Sequence, residues 1–135
     1  MEKPSLLEKK ALDRLSKGEY YEAHQIYRTM YFRMILKEQF ADLLDLLYSG
    51  SKKLADVKEA LSAIDLAELY AETLLKAKCK ATGKIYEQIY SMTEQFLNPS
   101  FPMPTPNAQI KFISMCVKWS QTIATKRRRE KTWFK

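Results

Sequence analysis

The side chains able to do chemistry are few and far apart. His24 is the one histidine in 135 residues, and the two cysteines, Cys79 and Cys116, are separated by most of a third of the chain. A nucleophile must sit beside a base, and a structural zinc needs four nitrogen or sulfur ligands in close groups. One histidine and two distant thiols supply neither, so reduced thiols and a hydrogen-bonded structural histidine are expected. Three glycines, Gly18, Gly50 and Gly83, do not cluster into a phosphate-binding turn. No catalytic residue, metal or cofactor is expected.

One charged arrangement could serve recognition instead. Asp65, Glu68 and Glu72 stand at i, i+3 and i+7, which aligns three carboxylates on one helical face. Such a ridge can steer a basic partner into place, although a solvated face with Glu72 supporting Lys76 at i+4 needs no partner at all.

The elements that must position these residues are helical. Apolar residues are 46% of the chain, and Leu, Lys, Ala and Glu are plentiful beside few glycines, which favours helix throughout. Ser5 is a candidate N-cap for a first helix over residues 5–16, and Lys17-Gly18 a stop. A second helix runs over residues 19–36, with Tyr20, Ala23, Tyr27, Met30, Tyr31 and Met34 in one packing arc. Further helices are expected over residues 40–53, 62–79 and 84–97. NPSFPMPTP, with four of the five prolines, then interrupts helix before a sixth segment over residues 107–125. The predicted fold is all-α: about six helices forming an α-solenoid of stacked antiparallel hairpins, tetratricopeptide-like although no clean 34-residue repeat recurs.

Charge divides the chain. Residues 126–135 hold six basic residues and one acidic one, so this tail carries +5 of the net +7 and residues 1–125 only +2. The helical segment 1–125 and the basic tail 126–135 are therefore read as distinct parts. KRRREKTWFK could attract nucleic acid, contact an anionic membrane through Trp133 and Phe134, or be a solvated end. No apolar run is long enough to span a bilayer, so stable membrane insertion is not expected and a cytosolic location is.

GEYYEAHQ, followed by YRT, FR and LLYSG, resembles the Golgi-to-ER traffic protein four family, the scaffold of the pathway that targets tail-anchored proteins to the ER. IDLAELYAETL and FISMCVKWS extend the likeness more weakly, over roughly residues 10–120. The resemblance implies a non-enzymatic tetratricopeptide-like adaptor whose N-terminal helices dock the cytosolic ATPase that carries tail-anchored proteins. By position, the ATPase contacts fall on Tyr20, Arg28 and Arg33 of the second helix and on Asp65 and Glu72 of the fourth. Glu68 joins them by geometry alone. The family also binds a ubiquitin-like-domain subunit through a region expected to be missing here, while ATPase docking is expected to persist. Two further expectations follow: self-association through Phe112, Met115 and Trp119, and no nucleic-acid partner. The alternative is a small basic helical nucleic-acid binder acting through the tail. A generic peptide-groove protein would require a concave polar groove.

Overall fold

The computed structural model describes the backbone of residues 5–133 and the side chains of residues 5–126. Six helices follow one another: α1 (Leu6–Ser16), α2 (Tyr20–Leu36), α3 (Phe40–Asp56), α4 (Ala60–Ala77), α5 (Gly83–Leu97) and α6 (Ile110–Trp133). No strand occurs among the described residues. The fold is the expected all-α solenoid. The side chains of the basic tail from residue 127 onward lie outside the described residues.

Local chemistry sets the helix ends. Ser5 caps α1 by accepting a hydrogen bond from the Glu8 amide, and Thr82 caps α5 by accepting one from Ile85. The first four helices end alike, twenty residues apart. Gly18, Glu38, Lys58 and Lys78 all have left-handed backbones, with φ of 76°, 57°, 66° and 49°. One residue later, the amides of Glu19, Gln39, Glu59 and Cys79 each donate back across the turn, to the carbonyls of Arg14, Met34, Leu54 and Leu74. This is the Schellman closure, which satisfies carbonyls a helix end would otherwise leave bare. The repeat lies in backbone geometry, since three of the four positions lack the glycine that usually announces it.

From α1 to α4 each helix packs on the next as an antiparallel neighbour, whereas α5 and α6 pack mainly on the helices two before them, to which they run parallel. Thus α2 lies against α4 and α4 against α6 in one layer, and α3 lies beside α5 in the other. Tyr27, Tyr31, Leu43, Leu47, Leu66 and Tyr70 form part of the shared core. Gly50 permits a close approach: a Cβ there would stand 2.9 Å from Cε1 of Tyr27 and 3.0 Å from Cδ1 of Leu66. A polar chain, buried at Tyr70 and Gln88 and open at Asp45 and Lys84, ties three helices together. Tyr70 donates to Gln88 at 2.7 Å, Gln88 donates to Asp45 at 3.0 Å, and Lys84 reaches the same carboxylate at 2.8 Å.

The sixth helix departs from expectation in two ways. It begins at Ile110 because Asn107 turns the chain with φ 68°, and its backbone continues past Thr125 to Trp133. The proline connector is pinned rather than loose: Phe101 is buried against Phe96, which meets Phe112 edge-on with ring centres 5.8 Å apart. This overturns the expected self-association face. Phe112 and Trp119 are core residues, Met115 is half-buried against that core, and the Trp119 indole donates to the Cys79 carbonyl at 2.8 Å.

Candidate docking surface

Helices α2 and α4 place their charged flanks side by side. Because they run parallel, residues near 24–31 of α2 meet residues 65–72 of α4 in the same order. His24 and Arg28, one turn apart, converge on a single carboxylate. His24 Nε2 lies 2.7 Å from Asp65 Oδ2, and one terminal nitrogen of Arg28 donates to both Asp65 oxygens at 2.8 and 2.7 Å. Burial pushes the Asp65 carboxyl up, but the hydrogen bonds and charges of His24 and Arg28 outweigh it and hold the carboxyl below its ordinary value.

Farther along, Glu68 has Lys111 of α6 at 3.8 Å, and Glu72 has Lys76 at 3.9 Å and the Tyr31 hydroxyl at 3.4 Å. Burial raises the Glu68 carboxyl, with Lys111 opposing and the charges of Asp65 and Glu72 reinforcing the rise. The three carboxylates do share a face, but each has a cation beside it. The ridge is a seam between α2, α4 and α6 rather than a bare acidic strip. The long Glu68 and Glu72 contacts involve exposed lysines, so they hold these carboxylates loosely.

The residues singled out from sequence do not all gather here. Arg28, Asp65, Glu68 and Glu72 are brought together. Tyr20 is half-buried against the core, and its neighbour Tyr21 is the tyrosine that faces out. Arg33 points to the other flank of α2. There it lines an open cleft of about 750 Å³ between α1, α2 and α3, with Glu8, Met30, Met34 and Asp42. Residues 28 and 33 are five apart, about 140° around a helix, which already separates them.

Sequence reasoning missed Phe32. Its ring lies beneath the Arg28 guanidinium at 5.8 Å and meets Tyr31 edge-on at 5.2 Å. The signal was present, since Phe32 falls outside the Tyr27–Tyr31 packing arc. It also missed the His24–Asp65 pair, for which residues 41 apart give no local sign.

Chemically, the surface can bind but has no catalytic arrangement in view. No hydroxyl or thiol among the described residues hydrogen-bonds to His24. Burial pushes the Cys116 thiol up to about 12, far from a reactive thiolate. Among the described residues no cluster of three or more His, Cys, Asp or Glu could hold a metal, and no helix is long and apolar enough to cross a membrane.

Comparison with known proteins gives the lineage. A family model described as Golgi to ER traffic protein 4 matches residues 37–131, more than half of the chain. The Golgi to ER traffic protein 4 homolog of Gallus gallus is 33% identical over 108 residues, covering 78% of this chain and 32% of the homolog. Those of Takifugu rubripes and Homo sapiens are 34% and 32% identical over 109 and 108 residues, in each case 78% of this chain and 31% of theirs. The chain spans about a third of the length of these relatives. With the family model running from the end of α2 through α6 of a helical solenoid, the chain belongs to the Golgi to ER traffic protein 4 family.

Proposed function

We propose that the chain is a non-enzymatic adaptor of tail-anchored protein targeting that acts in the cytosol and docks the targeting ATPase through the α2–α4 surface. Membership of a family named for Golgi-to-ER traffic supports a role in that traffic. The observation that carries the docking reading is the convergence of Arg28, Asp65, Glu68 and Glu72 on one open face, although α2 and α4 are separated by a whole helix. Arginine and aromatic groups held in fixed geometry are the residue types that concentrate binding energy at interfaces. Delivery of client through a ubiquitin-like subunit belongs to the proposal for the longer relatives and is not required for this contact.

The test is calorimetric titration of this chain with the cognate ATPase and ATP. The wild type is compared with the charge-exchanged pair Arg28→Asp/Asp65→Arg and with Glu72→Lys, whose carboxylate holds no helix pair tightly. Each variant's helical spectrum and melting midpoint are recorded beside it. Binding by the wild type and weakening by about tenfold or more in a folded variant is the expected result. A wild type that forms no complex, or folded variants that bind as well as it does, would sink the reading.

A further inference from the structure

The outward face of α2 carries large apolar side chains that the core does not use. Tyr21 is 69% exposed, Phe32 53% and Leu36 84%. At about 100° per residue these three and Arg28 fall within an arc of about 80°, along about 22 Å of helix. Isolated exposed apolar residues are ordinary, but a row on one helix face marks an interaction surface.

Arg28 is fixed at the centre of this row. One of its terminal nitrogens makes both bonds to Asp65, and the guanidinium lies over the Phe32 ring. Its other two guanidinium nitrogens have no acceptor among the described residues, and 32% of the side chain is open to solvent. Holding a rotamer-rich arginine in place before binding removes an entropy cost that association would otherwise carry. The open donors suit a carboxylate from outside.

We infer that the docking energy of this surface resides in the Tyr21–Phe32–Leu36 row with Arg28 at its centre, and that it receives an apolar helix edge bearing a carboxylate on the partner. This rests on the docking reading above and names the chemistry of the same partner. Asp65 then acts mainly by holding Arg28, and Glu68 and Glu72 by orienting the encounter, because each already has a cation beside it within the chain. Charge complementarity fixes the occupant: a purely basic partner surface would leave the open Arg28 donors facing like charge.

The experiment is the same titration, with Phe32→Ala, Tyr21→Ala, Leu36→Ala and Arg28→Lys, at about 0.05 M and about 0.5 M salt, where the Debye length falls by about threefold. The inference expects Phe32→Ala to weaken binding by about tenfold or more at both salt concentrations, with smaller losses for Tyr21→Ala and Leu36→Ala. Arg28→Lys keeps a charge near Asp65 but loses the open fork, and binding should weaken while the melting midpoint stays near that of the wild type. If the wild type binds and Phe32→Ala, Tyr21→Ala and Leu36→Ala all bind within twofold of it, while Glu72→Lys or high salt abolishes the complex, this inference falls and the docking reading stands. If the wild type does not bind, both fall together. The three apolar residues are exposed, so loss of fold is not expected to mask the result, and circular dichroism checks that.

Discussion

Asp65 accepts hydrogen bonds from two side chains one turn apart on α2, so a single carboxylate sets the register of a helix 41 residues distant in sequence. Its side chain is 31% exposed, which places the cluster between a surface ion pair and a buried one. Removing the charge leaves Arg28 and His24 facing a neutral amide, and Asp65→Asn is expected to cost about 1 kcal/mol at neutral pH. The pH dependence has a definite sign. The folded carboxyl lies below its unfolded value of about 3.9, so its contribution is fully present above that pH and is lost as pH falls through the folded value. Urea midpoints taken from neutral to acid pH should therefore fall more steeply for the wild type than for Asp65→Asn. Parallel curves would show that Asp65 does not couple folding to acid. Glu68 has the opposite sign: its raised carboxyl favours the folded state only when protonated, and that contribution is lost as pH rises through the folded value.

At the scale of elements, the twenty-residue recurrence of left-handed turns gives the chain its rhythm. A left-handed backbone costs a residue with a side chain about 1 kcal/mol or more, and Lys58 at φ 66° bears that cost in the α3–α4 turn. Lys58→Gly removes it but loosens the unfolded chain, so the net gain expected is about 0.5 kcal/mol. Gly18→Ala tests the same conformation in reverse. Nothing lies within 4 Å of a Cβ placed there, so its expected loss of about 1 kcal/mol comes from the backbone alone. Chemical denaturation of both variants measures this. A loss in Lys58→Gly would mean that the lysine side chain, not its backbone, stabilises the turn.

At the scale of the molecule, a stack of hairpins is held by neighbour contacts, and its parts can open separately. Trp119 joins α6 to both of its neighbours: it donates to the end of α4 at Cys79 and packs on Tyr86 of α5 with ring centres 5.6 Å apart. Trp119→Ala removes both contacts and leaves a cavity, at an expected cost of about 3–5 kcal/mol. Amide hydrogen exchange should then quicken first in α5 and α6, while the α2–α4 surface keeps its protection. Uniform acceleration along the chain would show that the six helices open as one unit.

The helices, the cap at Ser5, the packing arc of α2 and the proline break before α6 were legible because each depends on residues within a turn or two of one another. The alignment of Asp65, Glu68 and Glu72 was legible for the same reason. Their pairing was not, because Arg28, His24 and Lys111 reach them from other helices, and nothing local encodes a contact made by parallel packing two helices apart. Phe112 and Trp119 show the same limit: an apolar stripe on α6 looks equally fit for a partner or for a neighbouring helix until the chain has folded back and buried it. The sequence by itself determined an all-helical chain with an aromatic second helix. Tertiary structure alone decided which aromatic groups became core, which carboxylates became seam, and that Tyr21, Phe32 and Leu36 stayed in water, since burial depends on where distant helices come to rest.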